Sequence, residues 1–424
     1  MGDGRGSMTR VAYVTARFPP IRTSGTYRVE AMARNLPQLG LELDVLTLPA
    51  EWTGVSALEE YSDVRLFRPK SSSDVVIRTI RELKVLRWVQ REALIPDPLV
   101  LWARSAARKA ARVLEGTQVV YGTAPTYSMI VAAHDLARLL DVPYVQELRD
   151  PPSFDRTLRG RSKSFGRRMW RFEEKYLPAA DRLITVTPTM RERFIELHPR
   201  LEPHRISVVT NGVSDIDVNP SLSGRDRDKF TVTYVGTFLG GVRQMGDSVF
   251  TPGILIPALN TLPEGRTALR IVGPVSDTQL KNLRSLPAKT ELQFTGLVDR
   301  DLALAEIAAA DIAVILADDD DWWIGRKVFE YLRYAHTILA IVPEGDTSRL
   351  LARHSRVDLI QPGDSARLTV ALGSRFKQWS RGDWQSGPVP SGLQTDEGTA
   401  AEVAAILREV VSTSSISSKS REEI

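Results

Sequence analysis

The stretch Ile324-Gly325-Arg326-Lys327-Val328-Phe329-Glu330-Tyr331-Leu332 gathers residue types suited to one chemistry. It follows an apolar run, Asp311–Leu316, that reads as a strand, and its own pattern opens a helix. Lys327 and Glu330 stand three residues apart and therefore share a helix face. The start of a helix attracts anions. A cation for phosphate beside a carboxylate for sugar or ribose hydroxyls suits a nucleotide-linked sugar. The same spacing fits an ordinary surface salt bridge, and the residues alone leave both readings open.

Other strand ends carry related chemistry, and open α/β sheets bind ligands beyond the carboxyl ends of their strands. The turn Gly236-Thr237-Phe238-Leu239-Gly240-Gly241-Val242-Arg243 follows the apolar run Phe230–Val235. Its glycines let the backbone approach a pyrophosphate and Arg243 adds charge, although a plain turn fits equally well. Asp318 to Asp321 are four carboxylates in a row. They cannot all face one cation, so a solvated acidic loop is preferred and no metal site is expected. Trp322 and Trp323 either stack on a base or sugar ring or simply pack. In the first half, Thr23-Ser24-Gly25-Thr26 lies beyond the first strand, and Gln146-Glu147-Leu148-Arg149-Asp150 closes another. Arg149 and Asp150 can meet phosphate and sugar hydroxyls, or pair with each other in a structural turn. The five histidines show no metal-ligand spacing, and His134 reads as structural. No nucleophile elbow of the GxSxG kind occurs.

The elements that must hold these residues alternate strand and helix. Apolar strands read at Arg10–Thr15, Glu42–Leu48, Gln118–Tyr121, Pro143–Glu147, Arg182–Val186 and Ile206–Val209, with helices near 99–115, 125–141, 164–178 and 188–198. Ser214–Asp228, rich in Asp, Ser and Gly, is the best linker. A second series starts at Lys229, with strands at Phe230–Val235, Ala268–Val272, Glu291–Phe294, Asp311–Leu316, Thr337–Ile341 and Val357–Ile360. The pattern predicts two Rossmann-like α/β domains facing an interdomain cleft. Their bounds are 8–213 and 229–390. A helix over about 397–411 should cross back onto the first domain, and 412–424 is expected as a mobile serine-rich tail. At 424 residues, 42% hydrophobic and 25% charged, the chain has apolar material for two cores.

Composition removes several classes. There is no cysteine, hence no disulfide, thiolate metal site or cysteine nucleophile, which suits a cytoplasmic setting. No apolar run approaches the roughly 18 residues of a membrane span. Residues 1–7 read as an added or late-start segment, with Met8 the natural beginning and no secretory signal. The net charge is only +4, but cations crowd Arg78, Arg81, Lys84, Arg87 and Arg91. Residues 78–91 form a basic helix in this reading, either a solvated face or a peripheral contact with an anionic membrane. No nucleic-acid motif accompanies the charge, so nucleic acid is not expected as a partner.

The ordered set of short motifs resembles the retaining family 4 glycosyltransferases. It comprises Phe18-Pro19-Pro20 with Ser24-Gly25, Glu147-Leu148-Arg149-Asp150, Ala180-Asp181-Arg182-Leu183-Ile184 and Thr210-Asn211-Gly212, then Tyr234-Val235-Gly236-Thr237, Phe294-Thr295-Gly296 and Lys327-Val328-Phe329-Glu330. The likeness spans roughly residues 10–372 and is greatest to the branch that builds surface polysaccharides and decorates natural products. It implies a GT-B fold, a nucleoside-diphosphate sugar as donor substrate, no cofactor and no metal. The acceptor is expected to be lipid-linked or a small molecule. By position, Arg149, Asp150 and Lys327 would be catalytic. Gly25, Gly236, Thr237, Arg243, Gly273, Lys327 and Glu330 would hold the donor, with Trp322 and Trp323 as sugar or base contacts. Trp323 stands where the family carries the first of two carboxylates, and Arg149 where many members carry a histidine. These departures leave two alternatives beside a retaining transferase: a catalytically silent GT-B binding partner, or a nucleotide-sugar epimerase or hydrolase.

Overall fold

The computed structural model describes residues 8–19, 21, 25–49, 63–70, 93–154, 161–214, 216–237, 251–317, 320–383 and 391–422, with side chains as far as Ser415. The chain divides into two compact units, 1–212 with 394–424, and 213–393. Residues 78–91, expected as a basic helix, and Arg243 lie outside the described residues.

The first unit is built on a seven-stranded parallel sheet: β1 (Thr9–Val14), β2 (Leu41–Leu46), β3 (Val64–Phe67), β4 (Val119–Ala124), β5 (Tyr144–Leu148), β6 (Arg182–Thr185) and β7 (Ile206–Val208). Their spatial order is β3-β2-β1-β4-β5-β6-β7. Register runs from Thr9 opposite Leu41 on one side of β1 and from Val11 opposite Val119 on the other. Helices cover both faces, so β4 is buried along its whole length, as its near-continuous apolar sequence requires. Strand β3 was not foreseen. Its four residues are too few for a periodic signal, and at the sheet edge it is held by Arg65 pairing with Asp44 of β2.

Local sequence starts several helices as expected. Ser162 caps Lys163–Tyr176 by accepting from Phe165 N, and Thr187 followed by Pro188 opens Pro188–Leu197. The last helix, Asp396–Glu422, packs on helix Thr26–Gln38 within this unit. Ala400, Val403, Ala404, Leu407 and Val410 are all buried there, at three- and four-residue steps. Burying each Val or Leu contributes roughly 1.5–3 kcal/mol. The helix continues past Val411 through the serine-rich segment to Glu422.

The second unit repeats the plan with six parallel strands: β8 (Phe230–Val235), β9 (Thr267–Val272), β10 (Glu291–Gly296), β11 (Ile312–Leu316), β12 (Ile338–Ile341) and β13 (Val357–Ile360). Their order is β10-β9-β8-β11-β12-β13. Apolar clusters lie on the two faces, one around Val235, Val272, Phe329 and Leu332, the other around Phe230, Leu269, Leu339 and Leu372. Ser214–Asp228 is tied to this unit rather than free. Tyr334 Oη donates to Ser214 O at 2.8 Å, Ser223 Oγ donates to Glu306 at 2.8 Å, and Arg225 pairs with Asp311 at 2.6 Å. The polar groups that read as linker composition are spent on hydrogen bonds. Among the described residues no helix is long and apolar enough to cross a membrane.

Candidate functional site

In each sheet the strand order reverses direction beside its first strand, between β1 and β4 and again between β8 and β11. Those switch points open beyond the carboxyl ends of the strands, where α/β sheets bind ligands.

In the first unit, Arg149 leaves the end of β5 and turns back over the switch point. Its guanidinium donates to Gly25 O at 2.5 Å and to Pro125 O at 3.2 Å, while its backbone N–H donates to Ala124 O at 2.9 Å. Gly25 starts helix Thr26–Gln38. A Cβ there would lie 2.9 Å from Arg17 Nη1 and 3.5 Å from Arg149 Nη1, so two guanidiniums flank this glycine. Arg17 was not singled out from sequence. A cation three residues past the end of β1 was the available signal. Burial lowers the Arg17 pKa and the Arg149 charge lowers it further, with Asp150 and Tyr127 opposing. Arg149 and Gly25 are thus brought together, with Asp150 next in the chain.

The foundation of this site is a buried ion pair that sequence inspection did not assign. Arg28 donates to Glu147 Oε1 at 2.7 and 2.9 Å, and their side chains are 4% and 0% exposed. Thr123 Oγ1 donates to Glu147 Oε2 at 2.6 Å. Arg28 also donates to Val209 O at 3.0 Å and Thr210 O at 2.7 Å. One guanidinium therefore fastens helix Thr26–Gln38 to β5 and to the segment after β7. Burial alone would raise the Glu147 pKa, but the Arg28 charge and hydrogen bonds outweigh it and hold the carboxyl below its usual range.

A second buried network holds the segment after Asp150. Glu173 Oε1 accepts from Ser153 N at 2.6 Å, and Glu173 Oε2 lies 2.8 Å from His198 Nε2, whose Nδ1 lies 2.8 Å from Glu174. Burial would lower the His198 pKa, yet hydrogen bonds to Glu173 and Glu174, with their charges, raise it. A folded-state pKa raised above the unfolded one means the imidazolium stabilises fully below the unfolded value, about 6.5, and that contribution is lost as pH rises through the folded value. Thermal midpoints of the wild type should therefore fall as pH climbs through that window, while His198→Gln should be less stable at low pH and lack this slope. Parallel curves for the two proteins would remove His198 as the titrating group. His134, by contrast, packs edge-on against Tyr176 with ring centroids 5.0 Å apart.

In the second unit the expected donor residues collect around the ends of β8 and β9. Gly236 N donates to Val272 O, and Gly273 N to Gly296 O, both at 2.9 Å. Gly273 has φ +133°, and a Cβ on it would stand 2.1 Å from Gly236 O, so only glycine lets the two turns touch. Thr237 is exposed at the turn, and its carbonyl accepts from Tyr234 Oη at 3.4 Å. Lys327 Nζ donates to Val235 O at 3.0 Å. The residue as a whole is exposed but its ammonium is tucked in, and burial lowers its pKa with Glu330 opposing. Among the described residues no Lys327–Glu330 bridge forms. Glu330, 7% exposed, instead faces Arg326 and Arg300, each at 3.6 Å, and both arginines donate to Ser214 Oγ.

Helix Arg326–Tyr334 begins at Gly325 with no side-chain cap, no acidic residue in its first turn, and Arg326 and Lys327 at its start. Cations at the positive end of a helix dipole are electrostatically misplaced for stability. They are well placed for an anion that would also take hydrogen bonds from the first-turn N–H groups. Trp322 is 2% exposed, a burial that suits packing, and Trp323 lies against Gly325, whose Cβ would fall 2.3 Å from its ring. The Trp323 carbonyl accepts from Thr347, and Asp321 O accepts from Asp346 N at 2.6 Å, which pins this loop.

Comparison with known proteins follows the same lines. Residues 25–212 match the family described as Glycosyl transferase 4-like domain. The chain matches no curated protein sequence. Among solved structures, it resembles a sucrose-phosphate synthase from Thermosynechococcus elongatus at 13% identity, covering 98% of this chain and 99% of that one with a TM-score of 0.61. A UDP-forming trehalose-phosphate synthase from Burkholderia xenovorans matches at 12% identity, 96% and 97% coverage and TM-score 0.57. A lipopolysaccharide outer core galactosyltransferase matches at 13% identity, 89% and 92% coverage and TM-score 0.51. Residues 25–212 thus match a glycosyl transferase 4-like domain, and the two Rossmann-like units have the GT-B fold, a combination that supports sugar transfer.

Proposed function

We propose that the protein moves a sugar from a nucleoside-diphosphate sugar to an acceptor hydroxyl with retention and without a metal ion. The observation that carries this reading is the start of helix Arg326–Tyr334, uncapped and cationic, with Lys327 bonded to the carbonyl that precedes the Gly236 turn. There the N–H groups, Arg326 and Lys327 would stabilise the negative charge that develops on the leaving diphosphate, the task a divalent ion performs elsewhere. Glu330, oriented by Arg326 and Arg300, would accept from ribose hydroxyls. Gly236, Thr237 and Gly273 would line the approach of the nucleotide.

In the first unit Arg149, beside Gly25 and Asp150, would act on the transferred group. The acceptor oxygen attacks the anomeric carbon on the face from which the diphosphate departs, the anomeric C–O bond to the diphosphate breaks, and a phosphate oxygen takes the acceptor proton. No protein nucleophile is required. The acceptor is a lipid-linked or small-molecule hydroxyl.

The test begins with thermal shifts on adding UDP, GDP, ADP, CDP or TDP in EDTA. One nucleotide should stabilise the wild type selectively, and Lys327→Ala/Glu330→Ala should weaken it at least tenfold, about 1.4 kcal/mol. With the donor so identified, NMR of the product should show the anomeric configuration kept. Inversion would sink the retaining assignment. Free sugar or an isomer formed without acceptor would favour a hydrolase or epimerase, and no shift with any nucleotide at millimolar concentration would favour a silent binding partner.

A further inference from the structure

Two helices of the first unit carry a charge excess that the proposed chemistry does not use. Helix Val100–Ala111 has Arg104, Arg108 and Lys109 and no acidic residue. Helix Lys163–Tyr176 has Lys163, Arg167, Arg168, Arg171 and Lys175 against Glu173 and Glu174, and both of those carboxylates are engaged with His198. The whole chain has a net charge of only +4, so this surface is strongly positive within a nearly balanced molecule.

Between the two helices lies a groove of about 440 Å³. Ala93, Leu94, Ile95, Val100 and Leu101 give it an aliphatic lining, and Arg104, Arg168 and Arg171 supply three guanidiniums. Arg168 donates to Ala93 O at 3.3 Å, which fixes one cation against the aliphatic segment. Leu101 is 42% exposed. On the neighbouring helix Lys163, Arg167, Trp170, Arg171 and Lys175 recur at three- and four-residue steps and are all exposed, so one solvent face alternates cations with an indole. Trp170 is 41% exposed and its Nε1 donates to Leu197 O, with Leu197 itself 41% exposed.

We infer that this groove and the basic faces beside it seat the phosphate headgroup and first methylenes of an anionic phospholipid, docking the first unit on a negatively charged bilayer. Each element of the patch has a use at such a surface. Guanidiniums bind phosphate, aliphatic side chains cover the glycerol and upper acyl region, an exposed indole suits the interface, and the surrounding cations are attracted by the surface potential. A single-stranded nucleic acid would need aromatic rings on which to stack its bases, and none lines the groove. The inference concerns a surface separate from the donor residues, so its failure would leave the proposed reaction untouched.

The experiment is co-sedimentation of the full chain with vesicles of phosphatidylcholine alone or with about one-third phosphatidylglycerol. Binding is expected only to the phosphatidylglycerol vesicles and should weaken with salt, since exposed charges are screened. Arg104→Glu/Arg171→Glu should lower vesicle affinity at least about tenfold while the thermal midpoint and the nucleotide-induced shift stay at wild-type values. Arg367→Glu/Lys377→Glu, an equal charge reversal on an exposed helix of the second unit, should leave binding near wild type. Leu94→Ser/Leu101→Ser should remove the part of binding that survives high salt. Equal losses in both charge-reversal variants, or no binding to phosphatidylglycerol vesicles, would overturn the inference. So would retention by RNA-coated beads or acidic protein with no vesicle binding.

Discussion

Glu147→Ala is expected to destabilise the first unit by about 3–5 kcal/mol, the usual result of removing one partner from a buried ion pair. The change leaves Arg28 charged at 4% exposure with only carbonyl and amide acceptors, and it takes from Thr123 the acceptor of its 2.6 Å hydrogen bond. A loss of that size is a large part of the stability of an ordinary domain. Hydrogen exchange should localise it to helix Thr26–Gln38, β5 and residues 209–211, because these are the elements the Arg28 guanidinium joins. Arg28→Met/Glu147→Leu should be less damaging than either single change, since it leaves no buried charge behind. If Glu147→Ala unfolded at wild-type urea concentration, the pair would be structurally idle and the anchoring role of β5 would fall with it. The sign of the pH effect is also set. The Glu147 carboxyl is held below its unfolded value, so its contribution is present above that value and is lost as pH falls through the folded one.

Gly273→Ala is expected to be the most damaging single change at the donor side, for two separable reasons. The added methyl would stand 2.1 Å from Gly236 O, a backbone atom that cannot swing away, and φ +133° is strained for any side chain. Together they should cost about 2–5 kcal/mol and push apart the turns after β8 and β9. Nucleotide affinity should fall about 100-fold, roughly 2.7 kcal/mol. Gly265→Ala is the proper comparison, with φ +75° and nothing within 4 Å of the new methyl. It should carry only the left-handed strain, about 1–2 kcal/mol, and keep nucleotide binding. Equal nucleotide affinity in the two variants would show that contact between the turns does not shape the donor site.

Most strands were legible because parallel strands buried on both faces read as near-continuous apolar runs, as in β11 and the first half of β4. Caps such as Ser162, Thr187 and Asp299 act through neighbours two or three residues away, so they too can be read locally. Edge strand β3 escaped because four residues are too few to carry a periodic signal, and Arg65 interrupts its apolar run. The hydrogen bonds of the polar segment Ser214–Asp228, expected as the linker, escaped for a different reason. Composition records that a side chain is polar, not whether water or another residue satisfies it.

For the site, the glycines and cations lying between a strand and its following helix were readable from the chain: Arg149, Gly236 and Gly273 just past strand ends, Gly25 and Lys327 at helix starts. That follows from the alternation of strand and helix, since turns occur where apolar runs stop. Their partners were set by the fold. The i,i+3 spacing permitted Lys327 to meet Glu330, but the fold gave Lys327 the Val235 carbonyl and gave Glu330 to Arg326 and Arg300. It likewise paired Arg28 with Glu147 across 119 positions and brought Arg17 beside Arg149 at Gly25. Such contacts depend on strand order, and a parallel sheet sets neighbours by its crossovers rather than by proximity along the chain.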